Sequence, residues 1–247
     1  MPRLVLAVHV LTGFVATLAP ALGAQPGRVT PVVHARLGVD ANDVGGLLRW
    51  QRIEQESLAD RGIPIQETAA FPAFVGGQLA AGLTFTVPGE AGAVTFGLET
   101  GLSSTGGRLY YEDYSGTFVV DRTARRILAG IFAEYTLGAL SMTRPHAAVH
   151  LRGNATTVTY ERSVEIGGAA VESISESMRA WPLSVEGSLG GEVDVFSHTA
   201  VRVDAGWELG LRATLPLVPG LPEEARAVAA GIGWGGPRAA VGLSRRF

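Results

Sequence analysis

Val201 to Leu215 reads VRVDAGWELGLRATL, and its alternation is strict. Val201, Val203, Ala205, Trp207, Leu209, Leu211, Ala213 and Leu215 share one parity. Arg202, Asp204, Gly206, Glu208, Gly210, Arg212 and Thr214 share the other. A period of two is that of a pleated strand, whereas a helix would scatter both sets around its circumference. The stretch therefore predicts a strand with one apolar and one charged face.

The pattern recurs along the chain. Trp181, Leu183, Val185, Leu189, Val193 and Val195 alternate with Ser184, Glu186, Ser188, Glu192 and Asp194. Ile127, Ala129, Ile131, Ala133, Tyr135 and Leu137 alternate with Arg126, Gly130, Glu134 and Thr136, while Leu128 and Phe132 blur the polar set. Further alternating runs cover Val94–Ser103, Val75–Val87 and Arg238–Phe247, with shorter ones at Val33–Asp40 and Ala147–Asn154. The total is about eight strands, most of them near the length that crosses a bilayer with tilt. Short connectors, Pro88–Gly92, Gly138–His146 and Ser197–Thr199, alternate with long polar ones, Ala41–Ala70, Ser104–Arg125, Ala155–Arg179 and Pro216–Pro237. Within the long ones, Thr157–Glu165 and Val171–Met178 still alternate, so some hairpins are expected to continue as paired strands beyond the membrane. A count of ten is the alternative, with Val44–Ile53 and Ala227–Trp234 as the added strands, but it disturbs the short/long rhythm.

The N-terminus adds an address. Arg3 precedes an almost wholly apolar run from Leu4 to Leu22, and the small residues at Ala21 and Gly23 suit signal-peptidase cleavage after Gly23 or Ala24. Residues 1–24 are thus expected to be a signal peptide, and 25–247 a barrel domain. The whole chain of 247 residues has a net charge of -3, 47% hydrophobic and 17% charged residues, 33 glycines and no cysteine. All 20 basic residues are arginine. The lack of basic excess argues against a nucleic-acid partner. Without cysteine there is no disulfide framework or thiol nucleophile, and without lysine no Schiff-base chemistry.

Soluble ligand-binding barrels hide their apolar face inside, whereas membrane barrels turn it to lipid and keep the polar set in the lumen. The signal peptide and the loop asymmetry favour the second. The lumen would then hold Glu99, Glu134, His150, Arg152, Glu186, Glu192, Arg202, Asp204, Glu208, Arg212, Arg238 and Arg246. These nearly balance in sign and suit a buried network of arginine–carboxylate pairs. Trp181, Trp234, Tyr110, Tyr111, Tyr114 and Tyr160 lie near strand ends, where an aromatic girdle would sit.

The chain ends AVGLSRRF, with Val241, Leu243 and Phe247 on the apolar parity and Arg245 interrupting it. This last strand resembles the C-terminal assembly signal of bacterial outer-membrane proteins. Residues 25–247 as a whole are similar to the eight-stranded outer-membrane barrel superfamily of Gram-negative bacteria, in particular the transmembrane domain of OmpA. The resemblance implies a closed all-β, antiparallel, up-and-down barrel in the outer membrane. It implies lipid, lipopolysaccharide and the outer-membrane assembly machinery as partners, and a monomer.

Catalytic signals are weak. Gly231 to Gly236 matches G-x-G-x-x-G but lacks the βαβ context of a dinucleotide site. His146 and His150 would stand about 13 Å apart on a strand, too far to share a metal. Arg125-Arg126 reads as solvated charge, His146 and His198 as turn residues, and no serine–histidine pair can be placed. The expectation is no enzyme, cofactor or metal, and a structural or surface-contact role with binding by long loops. A narrow porin-like pore for small or hydrophobic solutes and a lipid-modifying enzyme are the alternatives.

Overall fold

The computed structural model describes residues 29–41, 45–69, 71–86, 92–138, 142–211 and 235–247. The expected signal peptide, Arg212, Trp234, the glycine-rich motif up to Trp234 and the added strand expected at 227–234 lie outside these. The elements are β1 (Val29–Asp40), α1 (Gly45–Asp60), β2 (Gln66–Ala69), β3 (Phe74–Thr86), β4 (Gly92–Asp113), β5 (Gly116–Leu137), β6 (Thr143–Ile166), β7 (Ala169–Ala180), β8 (Leu183–Phe196), β9 (Thr199–Gly210) and β10 (Gly235–Arg246).

Eight strands close a ring in the order β1-β3-β4-β5-β6-β8-β9-β10, every pair antiparallel, with β10 returning to β1 over Val32↔Arg246 to Asp40↔Arg238. The other two strands do not enter the ring: β2 pairs with the far part of β4, and β7 with the far part of β6. The expected closed eight-stranded barrel is the one observed. The ten-strand alternative is corrected on one count, since Val44–Ile53 falls largely within a helix. Leu47, Trp50, Gln51, Glu54 and Leu58 are its buried residues, a spacing of three and four that only a helix brings to one side.

The shorter expectations at Val33 and Ala147 are also corrected, because β1 has 12 residues and β6 has 24. Ser104–Arg125, expected as a long connector, is likewise corrected: it is a hairpin in which β4 and β5 stay paired without a slip from Gly92↔Leu137 to Asp113↔Gly116. Ala155–Arg179 continues as the paired strands that its alternation predicts. The β6–β7 hairpin closes at Gly167 and Gly168 with φ of 59° and 80°, the pair of positive values a two-residue hairpin turn requires. Ring strands β4, β5 and β6 thus run on past the barrel, and with β2 and β7 form a five-stranded distal sheet on half of its rim.

In the barrel the apolar parity faces outward. Leu37, Phe96, Ile127, Ile131, Leu151, Leu189, Val203, Trp207 and Leu209 are all exposed, and Arg36, Glu99, Glu134, Arg152, Glu186, Arg202 and Glu208 are buried inside. On β5 the outward apolar run Ile127–Leu137 stands about 26 Å high at the usual rise and tilt, which matches a membrane barrel's apolar band. The lumen is closely filled. A Cβ on Gly97 would lie 2.5 Å from a ring carbon of Phe132, so only glycine lets that ring cross the interior.

Candidate functional site

The inward charges form one connected network. Arg126 binds Asp40 and, at 3.0 Å, Glu208. Arg238 joins Asp40 to Glu186. Arg152 joins Glu186 to Glu99, its Nε donating to Oε1 at 2.6 Å. Arg36 donates to Glu99 at 3.0 Å and lies 3.8 Å from Asp204. Arg202 holds Asp204 at 2.7 Å and Glu134 at 2.6 Å, and lies 3.7 Å from Glu192. At the rim Arg144 and Arg246 close on Glu192. Seven arginines thus meet seven carboxylates through these contacts. Balanced pairing is what makes such burial tolerable, since one unpaired charge would cost several kcal/mol.

The sequence placed Glu99, Glu134, Arg152, Glu186, Arg202, Asp204 and Glu208 on the inward parity, and all seven are buried there. Arg246 sits at the rim, partly exposed. Arg36, Asp40, Arg126 and Arg144 are further members of the network, beyond the expected set. Arg126 corrects the reading of Arg125-Arg126 as a solvated pair: adjacent strand residues face opposite ways, so Arg125 is exposed and Arg126 buried.

One histidine assignment changes as well. His146 is not in a turn but inside β6, with Nε2 2.7 Å from Asp204 Oδ1. His150 Nδ1 lies 3.1 Å from Glu99 Oε2, and its Nε2 lies 3.4 Å from Ser188 Oγ. A serine, a histidine and a carboxylate therefore do meet, by cross-strand register Phe132↔His150↔Glu186 and its neighbours. All three are buried in the filled lumen, and the same Glu99 is already held by two arginines. The contacts of His150 thus lie within the lumen network, among groups already paired. A cavity of about 390 Å³ opens at the short-turn end, lined by Thr30, Thr84, Thr95, Thr136, Glu134 and His34 among others.

The distal sheet reverses the barrel's logic. Its side facing the barrel axis is apolar, with Leu109, Phe118, Val120, Ala124, Val158 and Met178 buried against Leu47, Trp50 and Leu58 of α1. Glu54 anchors the helix, accepting from Tyr160 Oη at 2.7 Å and pairing with Arg122. The Arg122 guanidinium lies 5.0 Å from the Trp50 ring centre and 5.5 Å from that of Tyr160, and the two rings stack at 5.7 Å. Burial lowers the Arg122 pKa to about 10, still charged at neutral pH. Tyr160 is thus no girdle residue but a core one, and Tyr110, Tyr111 and Tyr114 lie far beyond the apolar band. Trp181, 74% exposed at the band's edge, does occupy a girdle position.

At the β4–β5 tip Asp113 accepts from the Ser115 hydroxyl at 2.5 Å, the Ser115 amide at 2.7 Å and Tyr111 Oη at 2.8 Å. These bonds, the Ser115 hydroxyl first, hold its pKa down to about 2. Tyr110 Oη donates to Glu112, and Tyr114 is fully exposed. The tip is an ordered, acidic and tyrosine-rich projection. At the chain's end Val241, Leu243 and Phe247 point outward, and Arg245 lies 5.3 Å from the Phe247 ring centre.

No protein-family model matches the chain, and no curated protein does. Among solved structures it is similar to a major outer membrane protein from Thermus thermophilus, at 11% identity and a TM-score of 0.49, covering 89% of this chain and 99% of that one. It is similar to Neisserial surface protein A at 10% identity and a TM-score of 0.39, covering 88% and 97%. It is likewise similar to the outer membrane protein OprG of Pseudomonas aeruginosa, at 10% identity and a TM-score of 0.39, covering 89% and 96%.

Proposed function

We propose that this chain is an outer-membrane barrel acting as a surface-contact protein, in which the ring of eight strands is the anchor and the distal sheet carries the binding surface. The observation that carries the reading is the reversal between them. Below, an apolar exterior surrounds a lumen filled by paired charges, which suits an anchor better than a conduit. Above, a polar exterior surrounds an apolar core and ends in Tyr110, Tyr111, Glu112, Asp113 and Tyr114. Rigid tyrosines beside carboxylates give large contact area at low entropic cost, and suit a partner with a basic face. On this reading lipid and lipopolysaccharide surround the band, and Val241, Leu243 and Phe247 are what the assembly machinery reads. The protein is a monomer that needs no cofactor, and it is not an enzyme.

Because the chain lacks cysteine, single cysteines test orientation. Tyr114→Cys should react with a membrane-impermeant maleimide on intact cells. Ser197→Cys, in a short turn, should react only after the outer membrane is opened. Labelling of both sites, or of Ser197→Cys alone, would overturn the reading. The cavity beside His34 favours the narrow pore as second reading, and steady conductance of porin size in planar bilayers would establish it.

A further inference from the structure

Where the barrel meets the distal sheet, cross-strand register places one outward row of side chains directly above the apolar band. Ser104 of β4 pairs with Arg125 of β5, Arg125 with Thr157 of β6, and Thr157 with Arg179 of β7. Side chains on one row share a face, so Arg125 and Arg179 flank Thr157 with about 10 Å between their strands. Both arginines are exposed, and neither has an acidic partner among the described residues. This sets them apart from the lumen arginines. It also sets them apart from Arg108 on the same face, which donates to Asp121 at 2.5 Å and 2.7 Å. The next carboxylates on the outward face, Asp121 and Glu161, stand two rows higher, about 13 Å along the strands. The intervening row offers hydroxyls only, Thr123, Thr159 and Ser177. One row below Arg125 and Arg179 the surface turns apolar, with Leu102 opposite Ile127 and Trp181 exposed.

We infer that Arg125 and Arg179, with Thr157 between them, form a clamp for the phosphate of a phosphorylated lipid headgroup. The lipid's acyl chains would lie down the Ile127, Ile131, Leu151 and Leu183 face. Two guanidiniums on one row with no carboxylate between them repel unless an anion joins them, and phosphate accepts forked hydrogen bonds from both. Their height at the edge of the apolar band fixes that anion at headgroup level, and Trp181 supplies the amphipathic ring usual at that level. The site would tie one flank of the barrel, β5 to β7, to a particular lipid class. This rests on the reading of the ring as membrane-spanning.

The test uses the refolded full-length mature protein in phosphatidylcholine nanodiscs doped with bisphosphorylated lipid A. Lipid retained after mild detergent extraction is counted by native mass spectrometry. Wild type should retain lipid A about tenfold or more over the Arg125→Gln/Arg179→Gln variant. The paired-arginine control Arg108→Gln should match wild type, and the lysine double variant should fall between. Dephosphorylated lipid A should be lost from all of them. Equal retention by wild type and the glutamine variant would overturn the inference and leave two arginines merely reaching for water. Saturation of the site by inorganic phosphate alone, without effect on lipid retention, would overturn it too. Heat-modifiable gel mobility, read on every sample, separates this from the anchor reading: if wild type shows none, that reading fails, and if the shift is normal while retention does not differ, only the clamp does.

Discussion

β5 is a single strand with two opposite environments. From Ile127 to Leu137 its outward residues are apolar and its inward ones include Glu134 and Thr136. From Thr117 to Arg125 its outward residues are Thr117, Val119, Asp121, Thr123 and Arg125, polar but for Val119, and its inward ones are Phe118, Val120, Arg122 and Ala124. The backbone does not slip between the halves. Parity therefore tells which residues share a face, and the chemistry of that face tells which solvent it meets. The reversal at Ile127 marks where the apolar surroundings end, to within one residue pair.

The comparison is most open to attack in the lumen. Arg152→Met leaves Glu99 and Glu186 without their shared cation, and should cost about 3–5 kcal/mol, read as a lower urea midpoint for loss of heat-modifiable mobility in detergent micelles. A loss under about 1 kcal/mol would mean that water, not pairing, solvates the lumen. Next, arginine can be introduced at two outward positions of the same strand. Ile131→Arg, mid-band, should cost about 2–4 kcal/mol in lipid vesicles. Thr123→Arg, eight residues nearer the tip, should change stability by no more than about 0.5 kcal/mol. Equal costs would dissolve the boundary.

A smaller effect is expected where the distal sheet holds its helix. Glu54→Gln removes the charge that pairs with Arg122, and should cost about 1–3 kcal/mol, confined to this half. Residues 45–69 should become protease-sensitive while the barrel keeps its gel mobility. Cooperative loss of both would show that the halves melt as one. Smallest is the tip. The Asp113 pKa is depressed, so its contribution is present above the unfolded value near 3.8 and is lost as pH falls through about 2. The amide resonances of Ser115 and Gly116 should titrate in that window, and Asp113→Asn should abolish the titration.

Much of this was legible in the sequence. Alternation puts Arg202, Asp204 and Glu208 on one face and Trp207 on the other, and the apolar N-terminal run with the loop asymmetry turns the charged face inward; a one-residue slip would turn every charge to lipid. Parity also holds the answer for Arg36 and Asp40, on the polar set of the run Val33–Asp40, and for Arg126, which alternates with Ile127 and is not the solvated half of a charged doublet. The distal sheet was harder. Ser104–Arg125 and Ala155–Arg179 are as polar as loops on average, and only their faces show a core. That core is completed by a helix from far upstream, and Trp50 meets Tyr160 through no local pattern. The Ser188–His150–Glu99 contact depends on strand register, which neither short turns nor composition specify.

The unbroken run of β4 and β5 past the boundary has one more consequence, one of reach. From Ser104 to Asp113 is nine residue steps, or about 30 Å along the strand. No hinge interrupts the β4–β5 register over that distance. With the band seated in a bilayer, the tyrosine tip is held at a fixed stand-off above the headgroups, high enough to clear a short sugar layer. A partner could dock there without parting the lipids, and torque on the tip would pass straight into the barrel wall.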